Sequence, residues 1–527
     1  MKRVPLALAA CAEDEFSAGT LAWPIAYAKI RRRQVSLTEI TYRRLADLAD
    51  GEFKELCVLV AISLGWWQRE IGWLGMIGLA AQENGWRITD PPPILNFLLT
   101  GEDRSAFASA TVPLPEHITF PWLRRAARTA TLNRTPIRTL SGFFAPQAHV
   151  LSHNSLLRDF TRTSSKQLSF LHGSKLLEDA RRTASPVVDN RLIDDAVAFY
   201  SSLLSEAYTF PPAVDDRARE AFRMRARIII EEAARDLAAL RSYPRLPTEI
   251  WSGSCGRYVT RATVLAVRSN GGRAIGFDHG GSGVMVSDVA FFSLCDLSLR
   301  DQFVTTTPAA SEFIRRANSL PKYLSTKETT FQGASGDPLF RRASTLPSRR
   351  KNRASRPRIL FVNTIYTSLR QQLPPLLPDV LSISLQRQIL DAISDLNVDL
   401  AVKPHPEGNL QNSRHPLAEF AEIDERPFVE ALEDADLLMF DYPQTTTFWE
   451  TVCTDRSILF FDTGVSQFHA QSWELLQERC HVLKVEWNEE FFPTIDPPRL
   501  RTAVNELLDT SVDNSDMRAL LAGNTDI

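Results

Sequence analysis

Arg358–Val362 (RILFV), Val398–Val402 (VDLAV), Asp436–Phe440 (DLLMF) and Ser457–Phe461 (SILFF) are four short apolar runs spread through the last third of a 527-residue chain. Helical patterns separate them: Ser384–Leu396, Phe428–Glu433 and a helix starting at Thr447 that runs to Cys453. Ser472–Arg479, His481–Val485 and Pro498–Asp509 continue as helix, strand, helix. Strands without a polar face are buried on both sides, and strands alternating with helices predict a parallel, doubly wound sheet. Ligands of such sheets bind in the loops beyond the strand C-termini.

Working back from there, the same grammar begins at Pro247. Thr248–Trp251 reads as a strand, Tyr258–Arg268 as a helix stopped by Asn270-Gly271-Gly272, and Arg273–Phe277 as a second strand. Between Arg341 and Arg358 lie seven arginines, one lysine and no acid, read as a solvated basic linker or as a strip for anionic ligands. Residues 1–245 read as mostly helical, clearest at Leu37–Ala81 and Leu192–Arg241, with about Thr100 to Ser185 unassigned. The expected organisation is therefore a helical region 1–245, a Rossmann-like half 246–340, a linker 341–357 and a Rossmann-like half 358–527.

Composition narrows the function. Sixty basic and 63 acidic residues give a net charge of −3, which lacks the concentrated basic field of a nucleic-acid binder. The six cysteines are scattered, with no CxxC pair and no zinc spacing, which predicts reduced thiols in a cytosolic setting and no metal site. MKRVPLALAAC at the N-terminus has a lipoprotein-like end, but its apolar run of about eight residues is at the bottom of the signal-peptide range and its charged flank is minimal, so a buried segment is expected over a signal peptide. Leu56–Ala81 holds two apolar runs around Gln68-Arg69-Glu70; neither reaches spanning length, so a buried helix pair is expected, with peripheral membrane contact left open. There is no GxxxxGK[ST], GxGxxG, HExxH or GxSxG motif.

Three loops at strand ends carry candidate chemistry. Lys403-Pro404-His405-Pro406 holds a cation and an imidazole in a rigid turn, suited to a phosphate, or simply a hydrogen-bonded turn. Asp441-Tyr442-Pro443-Gln444-Thr445-Thr446-Thr447 opens a helix, where hydroxyls and unpaired N–H groups favour anions. Its alternative is a capping box between Thr447 and Glu450. Asp278-His279-Gly280-Gly281 places an imidazole on a glycine turn, as a general base or as a plain turn residue. Asp278 and His279, being adjacent in an extended segment, point apart and are not paired.

The order of these loops, from Thr248 to Phe461, resembles that of GT-B-type transferases of bacterial surface polysaccharides, a group including teichoic-acid glycerol-phosphate polymerases and capsular Kdo transferases. The matching pieces are His279-Gly280, then Lys403-Pro404-His405-Pro406, then Asp441-Tyr442 with Thr445–Thr447 and Glu450. The resemblance implies an α/β, GT-B-like fold: two Rossmann-like domains facing a cleft, here with a large helical N-terminal elaboration. It implies His279 as the base on the acceptor hydroxyl. Lys403, His405, Thr445, Thr446 and Thr447 would hold the donor phosphates, and Glu450 would face the ribose. The partners would be a nucleotide-sugar donor (CMP-, CDP- or UDP-linked) and a glycan or lipid-linked glycan acceptor at the inner face of the cytoplasmic membrane, with no other cofactor. Two departures stand out: Pro443-Gln444 separates Tyr442 from the hydroxyls, and the HG loop continues as Gly281-Ser282-Gly283. The same architecture also suits a nucleotide-sugar epimerase or an inactive scaffold subunit.

Overall fold

The strands of the second half alternate their side chains between two apolar layers, as strands covered on both faces must. Ile359 and Phe361 enter one core, with Leu437, Met439 and Leu459. Leu360 and Val362 enter the other, with Leu438, Phe440 and Phe460. The computed structural model describes residues 2–6, 20–102, 121–184, 186–317, 329–347, 356–367, 376–406, 414–510 and 513–523. The lipoprotein-like box around Cys11 and linker residues 348–355 lie outside the described residues.

Twelve strands build the two large sheets. The first holds β1 (Ala148–Ser152), β2 (Leu168–Phe170), β3 (Glu249–Ser252), β4 (Arg273–Phe277), β5 (Gln302–Thr305) and β6 (Thr330–Gly333). All are parallel, in the order β2-β1-β3-β4-β5-β6. The second holds β7 (Arg358–Val362), β8 (Asp399–Lys403), β9 (Glu422–Ile423), β10 (Leu437–Phe440), β11 (Ser457–Asp462) and β12 (His481–Lys484), parallel, in the order β9-β8-β7-β10-β11-β12. The second order is that of a dinucleotide-binding Rossmann sheet, with its direction switch between β7 and β10; the first sheet switches between β1 and β3. These two switch points fix where each half can hold a ligand.

The first sheet starts well before residue 246. β1 and β2 lie within 148–170, and the helices Gly173–Thr183, α3 (Asn190–Ala207) and α4 (Pro212–Ser242) are inserted between β2 and β3. β2 has only three residues, too few for a period-2 pattern to show.

Upstream, α1 (Tyr27–Asp47) and α2 (Glu52–Glu83) pack with α3 and α4 in one apolar cluster. The expected helix pair at Leu56–Ala81 is instead the body of one 32-residue helix. Gln68 and Arg69 are buried in its middle rather than forming a loop tip. Gln68 Nε2 donates to the Tyr200 carbonyl at 2.7 Å. Burial pulls the Arg69 guanidinium down to about 10. Among the described residues no helix is long and apolar enough to cross a membrane.

Glycines explain how α2 packs so closely. A Cβ on Gly72 would lie 2.1 Å from the Tyr208 ring, one on Gly75 2.9 Å from Phe210, and one on Gly78 2.7 Å from Leu95. Gly72→Ala should therefore destabilise the fold by roughly 1–3 kcal/mol, although alanine is the better helix former. Equilibrium unfolding in guanidinium checks this; a variant as stable as the parent would refute the packing account.

The two halves share a core. Met285, Phe303, Ile314 and Phe340 of the first half lie in the same cluster as Leu360, Phe440 and Trp449 of the second. The last helix, Ser515–Leu521, returns to the first half, where the Thr307 hydroxyl donates to the Leu520 carbonyl at 2.7 Å. At the N-terminus, Tyr27 Oη donates to the Leu376 carbonyl at 2.6 Å, and Lys2 pairs with Glu490. The basic stretch at 341 begins as the helix Pro338–Ser344, with Arg341 paired to Asp159 at 2.6 Å. Arg358 is paired to Asp399 and Asp424, so several of these arginines serve the fold.

Candidate functional site

In the first half, β4 runs straight into Asp278-His279-Gly280-Gly281. Gly280 and Gly281 both take left-handed backbone, with φ of 74° and 73°, which turns the chain sharply and which side-chain-bearing residues rarely adopt. Asp278 is buried and His279 is exposed. Asp278 Oδ1 accepts the His279 backbone N–H at 2.8 Å, and Asn154 Nδ2 donates to the Asp278 carbonyl at 2.7 Å. Asn154 also caps the helix Ser155–Thr163, so it ties the exit of β1 to the exit of β4. Asp278 Oδ2 is buried without a hydrogen-bond partner. Burial pushes this carboxyl up to about 7, with Asp337 and Asp296 adding to the rise.

In the second half, Lys403 ends β8, partly buried, and its ammonium donates to the Asp424 carbonyl at 3.0 Å. Burial lowers its pKa. His405 is partly buried two residues on; Glu407 and Gly408, which complete this loop, lie outside the described residues. The hydroxyl run opens the helix Thr446–Val452. The cap is Thr445, whose hydroxyl accepts the Phe448 N–H at 3.3 Å and sits 3.1 Å from the Thr447 hydroxyl. The alternative capping box between Thr447 and Glu450 does not form, because the cap falls two residues earlier, at Thr445, which makes Phe448 rather than Glu450 the third helical residue. Glu450 turns inward and is buried. Burial raises its carboxyl to about 7, against a lowering from Arg342 and with a further rise from Asp337.

One approach joins the two halves. A Cβ on Gly280 would lie 2.6 Å from Thr446 Oγ1. The HG turn of the first sheet is thus seated directly on the hydroxyl run of the second. The architecture is GT-B-like.

At the second sheet's switch point lies a buried polar chain that reading for motifs passes over. Asn363, just past β7, donates its backbone N–H to the Lys403 carbonyl at 3.0 Å and its Nδ2 to Tyr366 Oη at 2.6 Å. Tyr366 Oη donates to Gln386 Oε1 at 2.6 Å, and Gln386 Nε2 donates to Asp441 Oδ2 at 2.7 Å. The exits of β7, β8 and β10 are therefore connected. Asn363 Oδ1, Thr364 Oγ1 and Asp441 Oδ1 are buried without partners. Burial lifts Asp441 to about 6. Asn363 and Thr364 follow an apolar strand, so the strand-end rule reaches them; Gln386 sits mid-helix, and no local signal marks it.

A separate open cavity of about 800 Å³ lies past the ends of β5 and β6, lined by Asp159, Thr163, Thr307, Gln332 and Ser335 among others.

No family model matches the chain. No curated protein matches it in sequence. Among solved structures it is similar to the crystal structure of Acinetobacter baumannii MurG, at TM-score 0.31 and 11% identity, over 71% of this chain and 92% of that one. It is also similar to a UDP-glucosyltransferase from Polygonum tinctorium capable of glucosylating indoxyl, at TM-score 0.29 and 13% identity, over 73% of this chain and 94% of that one. The architecture is defined by this chain's own pair of six-stranded parallel sheets.

Proposed function

We propose that this chain is a GT-B-type transferase that moves a sugar or polyol phosphate from a nucleotide-activated donor to a hydroxyl of a bacterial surface glycan. The observation that carries this reading is the seating of Gly280, the residue after the exposed His279, on Thr446 of a hydroxyl-bearing helix start. His279 takes the proton of the acceptor hydroxyl as it attacks. Lys403, His405 and the hydroxyls of Thr445, Thr446 and Thr447 hold the departing phosphates, stabilising charge where it develops. The unpartnered acceptors Asn363 Oδ1, Thr364 Oγ1 and Asp441 Oδ1 suit hydrogen-bond donors of the nucleotide or sugar. Glu450, buried against the first half, serves this site by placing the helix; facing the ribose would require it to turn outward. An acceptor glycan would run along the strand ends of the first sheet, past the cavity at β5 and β6.

Melting the protein with CMP, CDP, UDP and GDP tests the reading. A nucleotide at ~100 times its Kd should add roughly 2.7 kcal/mol of stability. One nucleotide should raise the melting temperature of the parent, and His405→Ala and Thr446→Val should lose that rise. No response to any of the four at millimolar concentration would remove the donor-site assignment.

A further inference from the structure

Ten large apolar side chains are exposed among the described residues, and five of them fall between Trp122 and Phe144. These belong to two consecutive helices, Pro121–Leu132 and Pro136–Phe144, which lie against the edge strand β2. Inward, Leu132 joins the core of the first sheet, with polar or small contacts beside it. Thr129 Oγ1 accepts the Phe170 N–H at 3.0 Å, Asn133 Nδ2 donates to the Leu168 carbonyl at 2.8 Å, and a Cβ on Gly142 would lie 2.3 Å from that same carbonyl oxygen.

The apolar side faces out. Ile137, Leu140 and Phe144 recur at helical spacing and are 76%, 60% and 79% exposed, and Trp122 at the start of the neighbouring helix is 64% exposed. A helix serving only this fold would turn that stripe inward. The charge is one-sided as well: no Asp or Glu occurs between Glu116 and Asp159, while Arg124, Arg125, Arg128, Arg134 and Arg138 fall within the two helices and the turn joining them. Arg125 and Arg138 are engaged by Ser169 and by the carbonyls of Ser164 and Lys166, and the Arg128 guanidinium lies over the Phe170 ring at 4.6 Å, which leaves Arg124 and Arg134 for the exposed side.

We propose that this face docks on an anionic lipid bilayer, with Trp122, Ile137, Leu140 and Phe144 sunk to the level of the headgroups and the arginines on lipid phosphates. Apolar and aromatic side chains rimmed by arginine are the composition of a helix lying in the membrane interface. Each basic residue near an anionic surface adds to the attraction. A second copy of the chain is disfavoured as the occupant, because a two-fold contact would set arginines against arginines. The inference does not depend on the transfer chemistry.

Co-sedimentation with vesicles tests it, using phosphatidylcholine with and without phosphatidylglycerol. The parent should sediment with the anionic vesicles and be released by salt. Arg124→Glu/Arg134→Glu should lose at least roughly thirtyfold in affinity. Ile137→Ser/Leu140→Ser/Phe144→Ser should lose at least as much with its melting temperature unchanged, since all three side chains are exposed. If the triple variant fails to fold, the arginine pair decides. The proposal is overturned if the parent stays in the supernatant, if it binds both vesicle types equally, if the folded variants sediment like the parent, or if sedimentation velocity shows the parent dimerising through this face.

Discussion

His279→Ala is expected to slow transfer by ~10²–10⁴-fold, the usual worth of a positioned general base. Its melting temperature should stay within about 2 °C of the parent's, because exposed side chains away from structural features contribute little to stability. The turn around it is held by other atoms: the backbone N–H of residue 279 on Asp278, Asn154 on the Asp278 carbonyl, and Gly280 against Thr446. An alanine keeps all of these. The loss should fall on kcat rather than on nucleotide binding, since the donor-side groups lie in the other half. Equal losses in kcat and in the nucleotide-induced melting shift would mean that residue 279 supports the site's shape, and unchanged kcat would remove it as the base.

Asp278→Asn should stabilise the protein above neutral pH. The Asp278 carboxyl is buried and pushed up to about 7 from an ordinary value near 3.8. The folded state thus binds a proton that the unfolded state has released, between about pH 4 and pH 7. Stability from this group is full below that window and falls as pH rises through it. Once ionised, the buried carboxylate costs the folded state roughly 4 kcal/mol, and an amide carries no such penalty. The amide oxygen still accepts the His279 N–H, so the turn should persist. Chemical denaturation of parent and variant at pH 5 and pH 8 checks this: the variant should gain at pH 8 and show little difference at pH 5. Comparing the pair isolates one group from His149 and His415, which burial lowers to about 4 and which titrate in the same range. An equal difference at both pH values would show that Asp278 is not protonated in the fold.

Four strands of the second half were legible almost residue by residue, while the two-residue β9 was not read and the helix expected at Ser384–Leu396 runs from Asp379 to Ile393. Predicted strands 358–362, 398–402, 436–440 and 457–461 fall within one residue of the observed β7, β8, β10 and β11 at each end. They are uninterrupted apolar runs bounded by turn residues, so the signal is local and strong. In the first half only β3 and β4 were legible; β5 and β6, like β1 and β2, were not read as strands. β1 and β2 are short, and a long helical insertion separates them from β3, so no βαβ rhythm reaches them. α2 read as two helices because polar residues usually mark a break; here Gln68 finds the Tyr200 carbonyl and Arg69 is buried within the packing of the N-terminal helices.

The candidate loops were found by one rule, that chemistry collects at strand ends, together with a resemblance in their order. What the rule does not supply is which loops touch. That Gly280 meets Thr446, that Glu450 turns inward, and that Asn363, Tyr366, Gln386 and Asp441 form one chain are outcomes of packing between elements far apart in sequence.

The sequence by itself determined the α/β class, the parallel second sheet and the strand-end position of His279, Lys403 and the threonine run, because side-chain period and turn chemistry are properties of neighbouring residues. The tertiary structure alone decided the membership of the first sheet, the shared core that seats one half on the other, the unpartnered oxygens of Asp278 and Asp441, and the outward apolar stripe at Ile137–Phe144. Whether an atom is buried, paired or exposed depends on what distant segments place beside it, and no local pattern carries that information.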